Sequence, residues 1–274
     1  MNVLLSAAEL KQMMDAPDVR LLDASYGQPA ADIRIGGALN FDIDSVADAD
    51  AVLPHTLPSP ELFEIYASAL GISNDDRVVI YDRGGIAMAA ARAWWMFRIF
   101  GHDKIYILNG GMPAWLSAGY PVRPKTGTKA PMPASYKATY YPHLFKNRQD
   151  MLDNVAKPHF IVLDARDAKR YSGDAPEPRP GMESGHIPGS INVPYTTLID
   201  PATAQLKSGA PLVAALSHVD RSRPIAISCG SGVTACVVAL GLYQIGYPGA
   251  AIYGGSWAEW GGDLSTPKKK GSTP

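Results

Sequence analysis

Apolar residues along this chain come in short unbroken runs instead of alternating with polar ones. Leu21-Leu22 closes on Asp23-Ala24, and Val162-Leu163 closes on Asp164-Ala165. Such runs read as strands buried on both faces that end in loops. A second pair, Val78-Val79-Ile80-Tyr81-Asp82 and Ile225-Ala226-Ile227-Ser228-Cys229, leads each time into a glycine-bearing loop and then a small-residue helical stretch, 87–100 and 233–245. Strands interleaved with helices predict βαβ units and a parallel sheet covered by helices on its faces.

The pairing of these runs is an internal repeat. Ile35-Gly36-Gly37-Ala38-Leu39-Asn40 is echoed by His186-Ile187-Pro188-Gly189-Ser190-Ile191-Asn192, and Leu108-Asn109-Gly110-Gly111 with Trp115 by Ile252-Tyr253-Gly254-Gly255 with Trp260. A chain of 274 residues also fits two domains of ordinary size better than one. Pro121, Pro124, Pro131, Pro133 and Pro142 stand among polar residues and predict an extended connector over 121–142. The expected division is a first α/β domain over 1–123, a linker over 124–146 and a second α/β domain over 147–274.

Charge and composition narrow the partners. A formal net charge of −1 gives no field to draw in nucleic acid or an anionic membrane, so a small molecule or a protein is the expected partner. Met1 to Ala8 has none of the marks of a secretory signal, and no apolar run approaches the ~20 residues of a membrane helix. A soluble, cytoplasmic protein is expected. Two cysteines, Cys229 and Cys236, exclude a disulfide framework and a cysteine-rich zinc site. No histidine pair has zinc-ligand spacing and Gly84-Gly85 lacks the rest of a dinucleotide fingerprint, so neither metal nor cofactor is expected. The tail Lys268-Lys269-Lys270-Gly271-Ser272 reads as a solvated, frayed end.

The chemistry concentrates in one loop. Cys229 follows an apolar strand and precedes Gly230-Ser231-Gly232-Val233-Thr234 and a helix, where successive backbone N–H groups converge on one atom. That arrangement favours an anion, and the helix N-terminus adds about half a positive charge, so Cys229 reads as a nucleophile at neutral pH. Glycines at 230 and 232 permit a loop that folds back round its own first residue. Cys236, seven residues on, is expected two turns into the helix as a small apolar filler.

Cys229-Gly230-Ser231-Gly232-Val233-Thr234-Ala235 resembles the active-site loop of the rhodanese-like sulfurtransferases. Asp164-Ala165-Arg166, Pro176-Glu177-Pro178-Arg179, Gly185-His186-Ile187-Pro188-Gly189 and Tyr253-Gly254-Gly255-Ser256-Trp257 are similar to the same family, as is the tandem arrangement. The resemblance implies two rhodanese-like domains, the first catalytically silent because Asp82 stands where the second has Cys229. It implies that Cys229 carries sulfur as a persulfide, taken from 3-mercaptopyruvate or thiosulfate and passed to a thiol, thioredoxin or cyanide. Arg170 and Arg179 fall on the family's substrate-binding arginines, beside the loop residues Gly230, Gly232, Val233 and Thr234. Ser231, His55 and Asp44 fall on a proton relay that crosses between the domains. Arg166, directly after a strand, is expected to be a structural ion-pair partner. Arg34-Ile35-Gly36-Gly37 departs from the family's usual histidine and proline at that turn, which bears on where Asp44 lies.

Charge distinguishes the donors. Thiosulfate is a dianion that cations in the loop would favour; Gly230-Ser231-Gly232 has none, so a mercapto-acid donor fits better. Cysteine phosphatases share the strand, loop and helix but need an arginine six residues after the cysteine, where this chain has Ala235. The other alternative, a non-catalytic binding module, suits the first domain better than the second.

Overall fold

The computed structural model describes residues 2–24, 33–85, 88–124 and 131–274. In the first half, β1 (Leu4–Leu5), β2 (Val19–Asp23), β4 (Leu39–Asn40), β5 (Arg77–Tyr81) and β6 (Ile105–Leu108) form a parallel sheet in the order β1-β6-β5-β2-β4. β3 (Ile33–Ile35) pairs antiparallel with β7 (Val122–Pro124) in a separate ribbon. Helices α1 (Ala7–Met13), α2 (Pro60–Ala69), α3 (Met88–Ile99) and α4 (Gly111–Ser117) connect and cover these strands.

The second half repeats the plan. β8 (Phe145–Lys146), β9 (Ile161–Asp164), β10 (Ile191–Asn192), β11 (Ile225–Ser228) and β12 (Ala251–Tyr253) form a parallel sheet in the order β10-β9-β11-β12-β8. Helices α5 (Arg148–Ala156), α6 (Ala168–Ser172), α7 (Gly209–Ala215), α8 (Ala235–Gln244) and α9 (Ser256–Trp260) accompany it. The apolar runs ending in Asp23 and Asp164 are the buried strands β2 and β9, as expected from their lack of alternation. The repeat extends to details: Trp115 Nε1 donates to the Pro121 carbonyl and Trp260 Nε1 to that of Pro267, each locking the chain that follows its helix.

The halves meet through α3 and α8, both buried nearly all round. Trp94 lies edge-on to Tyr243 with ring centroids 5.3 Å apart, and Arg98 stacks over both rings. One apolar core thus runs from Phe41 and Trp94 through to Val238 and Leu240. This continuity holds loops from both halves against each other at the C-terminal ends of the strands, where α/β sheets place their sites.

Three expectations need correction. Cys236 is the second residue of α8, not two turns in, because residues 230–234 are used up in the loop before the helix begins. The connector is extended, as expected, but it is tied to the first half and ends sooner: 122–124 pair with β3, 131–141 run along the first half with Thr139 and Tyr141 donating to the Phe100 and Ile99 carbonyls, and Phe145–Lys146, within the expected linker, are β8 of the second sheet. Residues 125–130 of the expected connector, and Ala87 at the expected helix start, lie outside the described residues. The lysine tail is docked, not frayed. Lys269 and His186 exchange two backbone hydrogen bonds, Gly271 N–H donates to the Ser172 carbonyl, and Lys268 pairs with Glu183 at 2.9 Å. Gly185 makes room for it: a Cβ there would lie 2.4 Å from the Lys269 carbonyl oxygen. Three backbone hydrogen bonds at about 1 kcal/mol each predict that deleting 268–274 lowers stability by about 2–4 kcal/mol, measured by urea unfolding; an unchanged midpoint would show that the docking contributes nothing.

Among the described residues no helix is long and apolar enough to cross a membrane, and no cluster of side chains could hold a metal ion.

Candidate active site

The loop after β11 curls back on its first residue. Cys229 is 1% exposed, and its Sγ accepts the Gly232 N–H at 3.1 Å. Gly232 has φ +80°, which closes the curl and which side chains resist. On the other side, the Cys229 N–H donates to Ser256 Oγ at 3.1 Å, and that hydroxyl lies 4.0 Å from Sγ. Ser256 therefore braces the nucleophile's backbone from the start of α9. Ser256 lies 27 residues from Cys229, and nothing local in the sequence marks the contact.

Cys236 is wholly buried, its Sγ donates to the Gly232 carbonyl at 3.3 Å, and burial pushes its thiol up to about 12. It packs in the core with Arg92 beside it and stays protonated.

A cavity of about 320 Å³ opens over Cys229, and Gly230, Ser231, Val233 and Thr234 line it together with Arg170 and Arg179. Arg170, on α6, donates to Glu177 twice, Nη2 to Oε2 at 2.6 Å and Nε to Oε1 at 3.2 Å. Glu177 also takes Arg166 Nη1 at 2.8 Å, and Arg166 in turn grips Asp164 and stacks over Trp257. Arg166 is thus a buried ion-pair partner, as expected. Arg170 is charge-neutralised and oriented by this chain. Arg179 is exposed and makes no ion pair with a described residue.

The first half contributes a facing pair. His55 Nδ1 lies 2.9 Å from Asp44 Oδ1, the histidine side chain 8% and the carboxylate 49% exposed. Burial lowers the His55 pKa below its ordinary 6.5; Asp44 opposes this, while Arg92 and Arg179 reinforce it. Arg179, which lines the cavity, is thus one of the cations that act on His55. Both residues lie in the irregular segment between β4 and α2, where no helix starts near Asp44 and His55 has φ +57°. The departing turn at Arg34 closes normally, Ala38 N–H to the Ile35 carbonyl, with Gly37 at φ +83°.

The corresponding loop of the first half is filled by its own side chain. Asp82 carboxylate oxygens accept the Gly84 N–H at 2.8 Å and the Ala89 N–H at 3.1 Å, and burial pushes the group up to about 6. In the second half the Gly232 N–H rests on a sulfur; here the loop's donors are spent on a carboxylate, which cannot carry sulfane sulfur.

The rhodanese-like domain family matches at residues 6–118 and again at 147–263. The chain is 40% identical to the 3-mercaptopyruvate sulfurtransferase of Homo sapiens, covering 94% of this chain and 92% of that one. It is also 40% identical to the thiosulfate sulfurtransferase of Rattus norvegicus, over 89% and 85% of the two chains. Among solved structures, SseA, a 3-mercaptopyruvate sulfurtransferase from Escherichia coli, superposes with a TM-score of 0.82 at 33% identity, covering 94% of this chain and 99% of that one.

Proposed function

The chain belongs to the tandem-domain rhodanese-like sulfurtransferases, and on that premise we propose that it moves sulfur from 3-mercaptopyruvate to a thiol, thioredoxin or cyanide through a persulfide on Cys229. The observation that carries this is a sulfur cradled by the Gly232 N–H at the base of a cavity rimmed by two arginines. We assign the silent half to 1–124 and the catalytic half to 145–274, because β7 closes the first half's ribbon and β8, within the 124–146 expected as linker, is an edge strand of the second sheet. Two free cysteines and no disulfide suit a reducing, cytoplasmic setting, where acceptor thiols are abundant.

Each step balances. The Cys229 thiolate attacks the donor sulfur, and the sulfur–carbon bond breaks with its electron pair leaving on carbon as the enolate of pyruvate. The proton of the donor thiol passes to that carbon, with Ser231, His55 and Asp44 as its carriers. Cys229 is left as a persulfide. An acceptor thiolate or cyanide then attacks the outer sulfur, and the Cys229 thiolate departs.

Arg179 and the unpaired edge of the Arg170 guanidinium suit the donor's carboxylate and carbonyl oxygens. The charge count favours this donor over thiosulfate. Glu177 neutralises Arg170, the loop brings no cation, and Arg179 alone remains to match one negative charge. The similarity to a rat thiosulfate sulfurtransferase supports thiosulfate as a slower second donor. The decisive assay compares pyruvate release from 3-mercaptopyruvate with sulfite release from thiosulfate using one acceptor. Faster sulfite release would reverse the donor assignment.

His55 gives a signed pH prediction. A base must be neutral to take a proton, and burial keeps His55 neutral to below 6.5. Turnover with 3-mercaptopyruvate should therefore hold through neutral pH and fall on the acid side with a midpoint under 6.5, and His55→Gln should remove that limb. An acid limb that persists unaltered in His55→Gln would exclude this histidine from the relay.

A further inference from the structure

Arg92 is a buried cation, 2% exposed, on α3 of the half that has no cysteine. Its guanidinium crosses into the other half, where Nη1 donates to the Gly232 carbonyl at 3.2 Å. Nη2 donates to the His55 carbonyl at 2.6 Å, and the group stacks over Trp95 at 4.7 Å. No ion pair with a described carboxylate neutralises it. A guanidinium kept out of water without a counter-ion is costly, and such a cost is retained where the charge has a use.

Its position supplies one. Gly232 is the residue whose N–H rests on Cys229 Sγ, and without a Cβ it has no side chain to hold its backbone. The Arg92 bond to the Gly232 carbonyl restrains that residue from its other end, and a planar fork can hold two carbonyls at fixed separation where an ammonium cannot. The same fork fixes the His55 backbone, and hence the imidazole that pairs with Asp44.

We propose that Arg92 is a positioning residue for sulfur transfer, holding the Gly232 peptide on the reacting sulfur and the His55 backbone beside it. It touches neither donor nor reacting atom. Through it the half that lacks a cysteine sets the geometry of the half that has one. The turnover part of this inference rests on the sulfur-transfer reading above; the thiol-reactivity part does not.

The test uses the full chain carrying Arg92→Lys or Arg92→Met. Three quantities are measured: kcat and KM for 3-mercaptopyruvate with cyanide, the pH profile of Cys229 alkylation by iodoacetamide without donor, and the urea midpoint. The other charged or titratable groups around this thiol, Arg170, Arg179, His55 with Asp44, and Cys236, keep their identity in both variants, and of these His55 and Cys236 also feel Arg92 directly. Arg92→Lys is expected to fold and to keep KM near wild type while kcat falls about tenfold or more. The alkylation profile should show slower reaction in both variants, further in Arg92→Met, where neither carbonyl is held. If Arg92→Met does not fold, Arg92→Lys decides. A folded Arg92→Lys with wild-type kcat and alkylation profile, whatever its urea midpoint, would overturn the proposal. If the wild type itself releases no pyruvate, the sulfur-transfer reading fails while the alkylation profiles still decide the role of Arg92.

Discussion

Replacing Cys229 by serine should abolish sulfur transfer, by roughly 10³-fold or more, while replacing Cys236 by serine leaves most of it. A serine hydroxyl is a far weaker nucleophile toward sulfur and cannot hold a persulfide. The contrast with Cys236 follows from where the two thiols point. Both touch Gly232, but Cys229 accepts its N–H on the cavity side, whereas Cys236 donates to its carbonyl from the core. With its thiol pushed up to about 12, Cys236 has no thiolate to offer. A serine there can donate to the same carbonyl at a small cost in packing. Turnover assays with cyanide as acceptor separate the two; substantial activity in Cys229→Ser would end the persulfide reading.

Donor choice gives the second large effect. Arg170→Ala and Arg179→Ala should each weaken 3-mercaptopyruvate binding by about 1.5–3 kcal/mol, read as a rise in KM, with a smaller change for thiosulfate. Arg170→Ala also leaves Glu177 with Arg166 as its ion-pair partner and adds negative charge to the cavity wall. The opposite manipulation is Gly230→Arg with Ser231→Lys. A Cβ at 230 would stand 3.3 Å from Arg170 Nη2, so the new cation joins an existing one beside Cys229 and favours a dianion. Losing Ser231 removes a proton carrier that enolate protonation needs and sulfite release does not. Both changes should raise the ratio of thiosulfate to 3-mercaptopyruvate activity. An unchanged ratio in the double variant, or normal donor binding in both arginine variants, would contradict the donor assignment while leaving sulfur transfer intact.

The strands were legible because burial on both faces leaves a simple mark, an unbroken apolar run ended by Asp23 or Asp164. The repeat was legible because each half uses the same punctuation. Within the site, the cysteine loop could be read locally, since the strand, the glycines and the helix start are contiguous. What escaped were contacts closed by the fold. Arg92 reaches Gly232 across 140 residues and Ser256 reaches Cys229 across 27, and neither carries a local pattern that differs from an ordinary helical arginine or loop serine. Glu177 was visible only as part of a segment; its control of Arg170 depends on both side chains being turned into one buried ion-pair chain. The tail is solvated as three lysines in a row imply, but its backbone is held by His186 and Ser172, partners that no local pattern announces.

Treating the full chain with 3-mercaptopyruvate in the absence of acceptor, then measuring peptide masses and released pyruvate together, tests the central claim most directly. One sulfur per chain should appear on the peptide containing Cys229, matched by one pyruvate, and later addition of cyanide should remove that sulfur as thiocyanate. Sulfur on Cys236, or pyruvate released with no sulfur retained on the protein, would contradict transfer through a Cys229 persulfide.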